Sequence, residues 1–552
     1  MNPESYPMNS GQLQDNPKKL IHLIKQKESD TFLPKLIFWS WIVLGISISF
    51  QCLNFYSPEN VFAMCCIVLS WFVLANLFLK KEKLEQYPLS SFLIIGFTAT
   101  QFYFPLLFTS LEYKPVVFNL ELPYDVFLHS IAAFFVLVFA HFIYSYIPVN
   151  KNRGANSLLY KAGFFDAPAE ISLWIMGAIG LMANIYVLVA NTNVSIEVSG
   201  NAVDKFIQSL FPFSYAPYFI PFYGLYGSNK KAAKKLIPLL AAFTLALFII
   251  SMARNSRGAF MIGFTSVGFS YLLGLFLGIF KPPKIAYKLV ILSCIGFWII
   301  TGPLADLGTA MVIVRGERND ISKSELIDLT ISAFSDKDAI NLRRLEDIEF
   351  ESDWDERYLN NVFTSRFSNL KFNDASLVQA AKIGDQHPLM YNYSIDYIWG
   401  ALPGPIVTMV KPDLDKESIY SMSFGDMIYS LTGAGAKVSG GFRLGHFAGT
   451  GMASFGWWYL AILGAGMIPV YFLFDKLSIK RQINYMGGKL KSERVNFSIC
   501  GLLCLTSIFQ FLPTESVVGP ATFLVRGYIQ LLILYWFIFQ LTNGIIYLIK
   551  KI

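Results

Sequence analysis

The sequence predicts an all-α integral membrane protein with about twelve transmembrane helices and one long extramembrane loop late in the chain. Three observations lead there. Apolar residues make up 54% of the 552 positions and Asp, Glu, Lys and Arg only 15%, against about 25% charged in an ordinary globular chain. Runs of about 20 apolar residues recur, the length that crosses roughly 30 Å of hydrocarbon. The loops between them alternate between lysine-rich and lysine-poor. Fifty phenylalanines cannot be packed in water beneath so thin a charged surface, which excludes soluble enzymes, nucleic-acid-binding modules and disordered scaffolds. The lipid bilayer is the first expected partner. A net charge of +7 suits lysines at a cytoplasmic membrane face better than a nucleic-acid ligand.

The apolar runs fall at 36–55, 61–79, 89–110, 127–147, 171–190, 206–226, 236–252, 259–280, 285–302, 451–474, 497–512 and 527–548. The sixth is interrupted by Pro212, Pro217 and Pro221, breaks that a bundle tolerates when neighbours satisfy the freed backbone groups. Residues 1–35 are polar and form a cytoplasmic segment without a signal peptide, because the first apolar run is long enough to span. The chain divides into that segment, a bundle of nine spans over 36–302, an exterior segment over 303–450, and three closing spans over 451–552.

Lysine and arginine in short loops set orientation. Nineteen of them lie in one set of loops, around 80–83, 151–161, 230–235, 281–288 and 476–494, and four in the other set: Lys114, Lys205, Arg254 and Arg257. The strict alternation places both termini in the cytoplasm. Segment 303–450 is then exterior, and a stretch of that length is expected to fold. Within it, Leu326 to Phe334 starts an amphipathic helix. The apolar stretch Tyr397 to Val410 is only 14 residues long and contains Gly400, Pro403, Gly404 and Pro405. It reads as a re-entrant or interfacial segment rather than a span.

The six cysteines sit at or within spans, and Cys65, Cys66, Cys500 and Cys504 read as small buried apolar residues. The five histidines show no metal-ligand spacing, so neither metal nor cofactor is expected. Glu346 to Glu356 holds seven carboxylates. Its Asp353-Trp354-Asp355 matches a short metal-holding pattern, but the stretch reads as a solvated acidic face. The spans themselves show no convincing carboxylate of the kind that ion-coupled pumps place in mid-membrane.

The polar chemistry gathers at the exterior face. Arg254 and Arg257 occupy the whole turn between spans seven and eight, where the charge rule disfavours them. Arginine presents a planar fork of donors suited to phosphate oxygens. The amides and dipole opening span eight point to the same place. Arg315, Arg318, Arg343, Arg344, Arg357, Arg366 and Arg443 lie in the exterior segment and as a set are placed to line a basic funnel for an anionic substrate. Residues 440–450 are glycine-rich and contain His446, a candidate general base, with Asp374 as the second candidate.

This arrangement resembles the bacterial O-antigen polymerase and O-antigen ligase superfamily. The resemblance rests on Ser256-Arg257-Gly258 opening a span, one long exterior loop late in the chain, and His446 followed by a span beginning with Phe455-Gly456. It covers the topology of most of the chain and about 25 residues of motif. A His-Asn-x-Tyr-Leu ligase signature is missing after His446, which turns the reading toward polymerase. The resemblance implies a glycosyltransferase C-like enzyme in the bacterial inner membrane. It would extend undecaprenyl-pyrophosphate-linked repeat units of a surface polysaccharide on the periplasmic face, with a chain-length regulator as a partner. Arg254, Arg257, Arg315, Arg318, Arg366 and Arg443 would hold pyrophosphate. The alternatives are a ligase transferring glycan to lipid A core and a flippase or exporter.

Overall fold

The computed structural model describes residues 32–147, 157–190, 202–228, 236–253, 257–282, parts of 291–299, 302–314, 323–346, 354–434, 443–485, 490–510 and 516–551. Among them, eight helices are long and apolar enough to cross a membrane: Phe32–Asn54, Pro58–Leu77, Pro88–Leu111, Pro123–Tyr146, Glu170–Val189, Leu236–Ala253, Phe447–Asp475 and Gly519–Leu548. A helix over Arg257–Phe276 occupies the expected eighth span. The expected ninth span lies largely outside the described residues, as does the N-terminal segment before residue 32.

Local chemistry sets several of these ends. Ser57 accepts from the Asn60 amide at 3.1 Å and Pro58 follows it at the first helical position, the arrangement that satisfies an orphan amide and pre-sets φ. The third span carries a π-helical turn over Ala99–Tyr103. Pro105 has no N–H to offer the Thr100 carbonyl, its partner five residues back in the π register. The Thr100 carbonyl instead receives the Asn369 amide at 3.2 Å.

Several expectations need correction. The sixth apolar run is not one α-helix: a short helix Ala202–Ser209 leads into a tight 3-10 stretch, Phe211–Phe222, with Pro217 and Pro221 inside it. The eleventh divides into Ile499–Leu503 and Leu505–Gln510. The tenth is interrupted at Gly456, whose φ of 55° only glycine adopts readily. The His387 amide donates to the Ala453 carbonyl (2.7 Å), and the Gln386 amide joins the Gly456 amide on the Met452 carbonyl (3.1 Å). The basic stretch after span ten is an antiparallel hairpin, Ser478–Tyr485 paired with Leu490–Phe497, so among the described residues the regular structure is helical apart from this ribbon. Cys65 is exposed rather than buried, in contrast to Cys66 and Cys500.

One carboxylate escaped the sequence reading. Asp475 ends the tenth span and is fully buried. It accepts from the Leu89 amide (2.9 Å), the Ser90 amide (3.2 Å), the Ser90 hydroxyl (2.6 Å) and the Tyr144 hydroxyl (2.9 Å). It thus caps the third span's first turn, where a negative charge meets orphan amides and the positive end of the helix dipole, and it ties spans three, four and ten at the hairpin end.

The segment between spans nine and ten is helical where described: Pro303–Ile313, Lys323–Ser335, Lys337–Glu346, Leu370–Ile383, Pro388–Gly400, Gly404–Val410 and Phe424–Tyr429. The expected amphipathic start at Leu326 falls inside the second of these. Residues 397–410 split between two short helices, with Ile406, Met409 and Val410 exposed, as an interfacial segment requires. Residues 354–361 are stitched to the turn after span three: Tyr358 donates to Val116 O (2.6 Å), Lys114 to Asn360 Oδ1 (2.9 Å), and the Asn360 amide to Glu112 (2.8 Å).

Helix Leu370–Ile383 crosses Phe447–Phe455 so closely that a Cβ on Gly449 would overlap the Ser376 backbone. Gly449→Ala should therefore destabilise the protein by about 1–3 kcal/mol through overpacking, read as a lower melting temperature in detergent. Gly404→Ala, where a Cβ meets nothing within 4 Å, should leave it unchanged.

Candidate functional site

At the end of the bundle that carries residues 303–450, four elements converge: the π-turn of span three, the start of span four, helix Leu370–Ile383, and the entry to span ten. His446 is the N-cap of helix Phe447–Phe455 and is fully buried. Its Nε2 lies 3.1 Å from Gln101 Nε2. With the amide donating, the ring proton sits on Nδ1, which has no protein partner. The Gln101 Oε1 and Asn373 Oδ1 atoms beside it are buried and likewise without one. Burial, with His129 nearby, pushes the His446 imidazole down to about 3, so the ring is neutral at pH 7 and a weak proton acceptor. Next to it, His129 Nδ1 meets the Tyr459 hydroxyl at 2.7 Å, with its ring stacked on Trp457 at 4.5 Å.

Asp374 is also fully buried. It pairs with Lys371 Nζ at 2.7 Å and accepts from the Leu122 amide at 2.9 Å, while Lys371 donates to Asn119 O at 2.6 Å. Desolvating both charges is tolerated because each finds further hydrogen bonds. The pair fastens helix Leu370–Ile383 to the loop entering span four.

Arg443 lies three residues ahead of His446. Its amide and Nη1 both donate to Asp426 Oδ1, at 3.2 and 3.1 Å, and Asp426 is fully buried. The guanidinium sits 4.8 Å from the Tyr429 ring centroid, a cation–π arrangement that keeps its plane fixed while leaving it partly exposed. Tyr429 contacts Trp354 at 5.8 Å, and Glu356 follows within electrostatic reach of Arg443 and Arg366. Arg366 is exposed, and its neighbour Phe367 packs on Phe269 of helix Arg257–Phe276 at 6.3 Å. Chemically, this rim offers cations, a carboxylate and aromatic faces over a buried polar floor.

The structure thus brings His446, Asp374, Arg443 and Arg366 to one end of the bundle. Arg257 opens helix Arg257–Phe276, but its side chain lies outside the described residues, as do Arg254, Arg315, Arg318 and Asp353. Among the described residues, no group of three or more His, Cys, Asp or Glu is placed to hold a metal. Gln101 and Asp426 went unnoticed in the sequence, and Glu356 reads there only as part of a solvated acidic face. Gln101 had a usable signal, a polar amide inside an apolar run. Asp426 had none, since only the fold sets it against Arg443.

Compared with known proteins, the chain matches no family model, no curated protein and no solved structure.

Asp374→Asn should leave Lys371 buried and uncompensated, at a cost of about 3–5 kcal/mol. The double variant Lys371→Met, Asp374→Leu should recover much of the melting temperature. An Asp374→Asn protein with wild-type melting behaviour would contradict this anchoring role.

Proposed function

We propose that the chain is a polymerase of undecaprenyl-pyrophosphate-linked oligosaccharide repeat units, acting on the periplasmic face of a bacterial inner membrane with both termini in the cytoplasm. The observation that carries this reading is the Arg443 guanidinium held by Asp426 and Tyr429 just before the entry to span ten, with Arg366 and Glu356 exposed at the same end. It lies at the end of the bundle where the charge rule puts the exterior. A lipid-linked donor brings its pyrophosphate to that level while its hydrocarbon tail stays in the bilayer.

The reaction moves a glycan from pyrophosphate to a sugar hydroxyl. The leaving group gains negative charge as the glycosidic bond breaks, so donors placed around it favour the transition state over the ground state. Arg443 fits this role because Asp426 and Tyr429 hold its guanidinium in place before substrate arrives. Arg366 and, at the opening of span eight, Arg254 and Arg257 complete the anion site, with Arg315 and Arg318 as helpers on the segment after span nine. The acceptor is the terminal sugar of a single lipid-linked repeat, and a chain-length regulator is the expected protein partner. His446 and Asp374 shape the floor: both are closed to solvent in this conformation, so neither meets an acceptor hydroxyl directly.

A strain lacking the gene should show surface glycan capped with single repeats on a gel. Loss of glycan from lipid A core with free polymer accumulating would indicate a ligase, and no change in surface glycan would end the proposal. Arg257→Ala and Arg443→Ala should each cut polymer formation by about 10²–10³-fold, with protein levels in the membrane near wild type. Lysine at either position should restore a fraction, since it keeps charge but not the fork. An unchanged ladder in both alanine variants would remove these arginines from the site.

A further inference from the structure

Two adjacent carboxylates, Asp355 and Glu356, face very different surroundings. Asp355 is engaged on every side. Arg357 donates to both its oxygens at 2.8 Å, the Arg357 amide donates at 2.9 Å, and Asn119 Nδ2 donates at 2.7 Å. Burial works to raise its carboxyl, but the hydrogen bonds from Arg357 and Asn119 outweigh it and hold Asp355 below its ordinary range. Glu356 receives the Trp354 indole N–H on Oε1 at 2.8 Å. It is exposed by area, yet surrounding protein crowds it. Burial raises its carboxyl above the ordinary range, against the opposing pull of Trp354, Arg443 and Arg366. Trp354, which donates to Glu356, packs on Tyr429, the ring over which the Arg443 guanidinium lies, so this exposed carboxylate is held on the same rim as that arginine.

The position is also rigid, as a reacting group requires. Trp354 is buried against Tyr429, and Tyr358 is buried with its hydroxyl on Val116 O. The loop carrying Glu356 is therefore pinned on both sides of it.

We infer that Glu356 is the general base that deprotonates the acceptor hydroxyl, an inference that rests on the polymerase reading. The acceptor oxygen attacks the anomeric carbon of the donor glycan as its proton passes to Glu356. The bond from that carbon to the pyrophosphate oxygen breaks. The electron pair leaves with the pyrophosphate, whose added charge faces Arg443 and Arg366. The indole on Oε1 orients the carboxylate, so Trp354 is a positioning residue. The charged groups around Glu356 that set its titration are Asp355, Arg366 and Arg443.

The test uses full-length protein in liposomes, supplied with lipid-linked single repeats extracted from a strain lacking the gene. Glu356→Gln should slow chain extension by about 10²–10⁴-fold, with KM for the lipid-linked repeat within about twofold of wild type. The acidic limb of the wild-type pH–rate profile should vanish in Glu356→Gln. Trp354→Phe should move that limb to higher pH, because the lost N–H no longer steadies the ionised carboxylate. A Glu356→Gln enzyme with the wild-type rate and the same acidic limb overturns the assignment while leaving the polymerase intact. Should Glu356→Gln fail to reach the membrane, an unmoved limb in Trp354→Phe overturns it instead. No extension by the wild-type protein removes both the base and the polymerase reading.

Discussion

The close crossing of helix Leu370–Ile383 over Phe447–Phe455 is the constraint from which the loop end of the molecule is built. Gly449 lets the backbone of Ser376 approach to a distance that no side chain permits. At that approach the Ser376 hydroxyl reaches both the amide and the carbonyl of His446. Once the two helices are locked, Asn369 meets the Thr100 carbonyl released by the π-turn, and Gln101 meets His446. Asp374, on the same helix, reaches the loop into span four. Helix Leu370–Ile383, a widened turn in a membrane span and the entry to span ten thereby become one rigid unit. Arg443 emerges from that unit in a fixed direction, because the chain just before His446 has little freedom left.

The buried carboxylates show how a mostly apolar protein spends its few charges. Asp374, Asp426 and Asp475 are all fully buried, and each is surrounded by donors: a lysine and an amide for the first, an arginine for the second, two amides and two hydroxyls for the third. Burial without such partners would cost several kcal/mol per ion. Asp475 and Asp374 act at opposite ends of the bundle. One caps the first turn of span three at the hairpin end, and the other ties the segment between spans nine and ten to the loop entering span four. Glu356 differs in being exposed, with the Trp354 indole holding its carboxylate in place, as the proposed base requires.

Much of this was legible in the sequence, and the failures have physical causes. Long apolar runs report membrane helices directly, so spans one to five, seven and twelve appear close to where composition places them. Runs six and eleven misled because hydropathy does not distinguish a straight helix from a 3-10 stretch or two short helices. The hairpin at Ser478–Tyr485 was invisible because its basic residues read as a loop. In the candidate site, residue type and position singled out His446, Arg443 and Asp374, but not the partners that the fold gives them. Asp426 is 17 residues before Arg443, and Gln101 is 345 before His446, separations at which no local pattern links two residues. The burial of His446, which turns a suspected base into part of the floor, is likewise a property of packing alone.

The central claim is that a lipid-linked glycan places its pyrophosphate at the rim formed by Arg443, Arg366 and Glu356. The most direct measurement is photo-crosslinking of the full-length protein in liposomes, using an undecaprenyl-pyrophosphate glycan with a photoreactive group on its first sugar. Adducts would be mapped by peptide mass spectrometry. The account expects adducts within residues 354–366 and 424–446, lost on competition with unlabelled lipid-linked repeat. Adducts confined to the hairpin at residues 478–497, on the opposite end of the bundle, would contradict it.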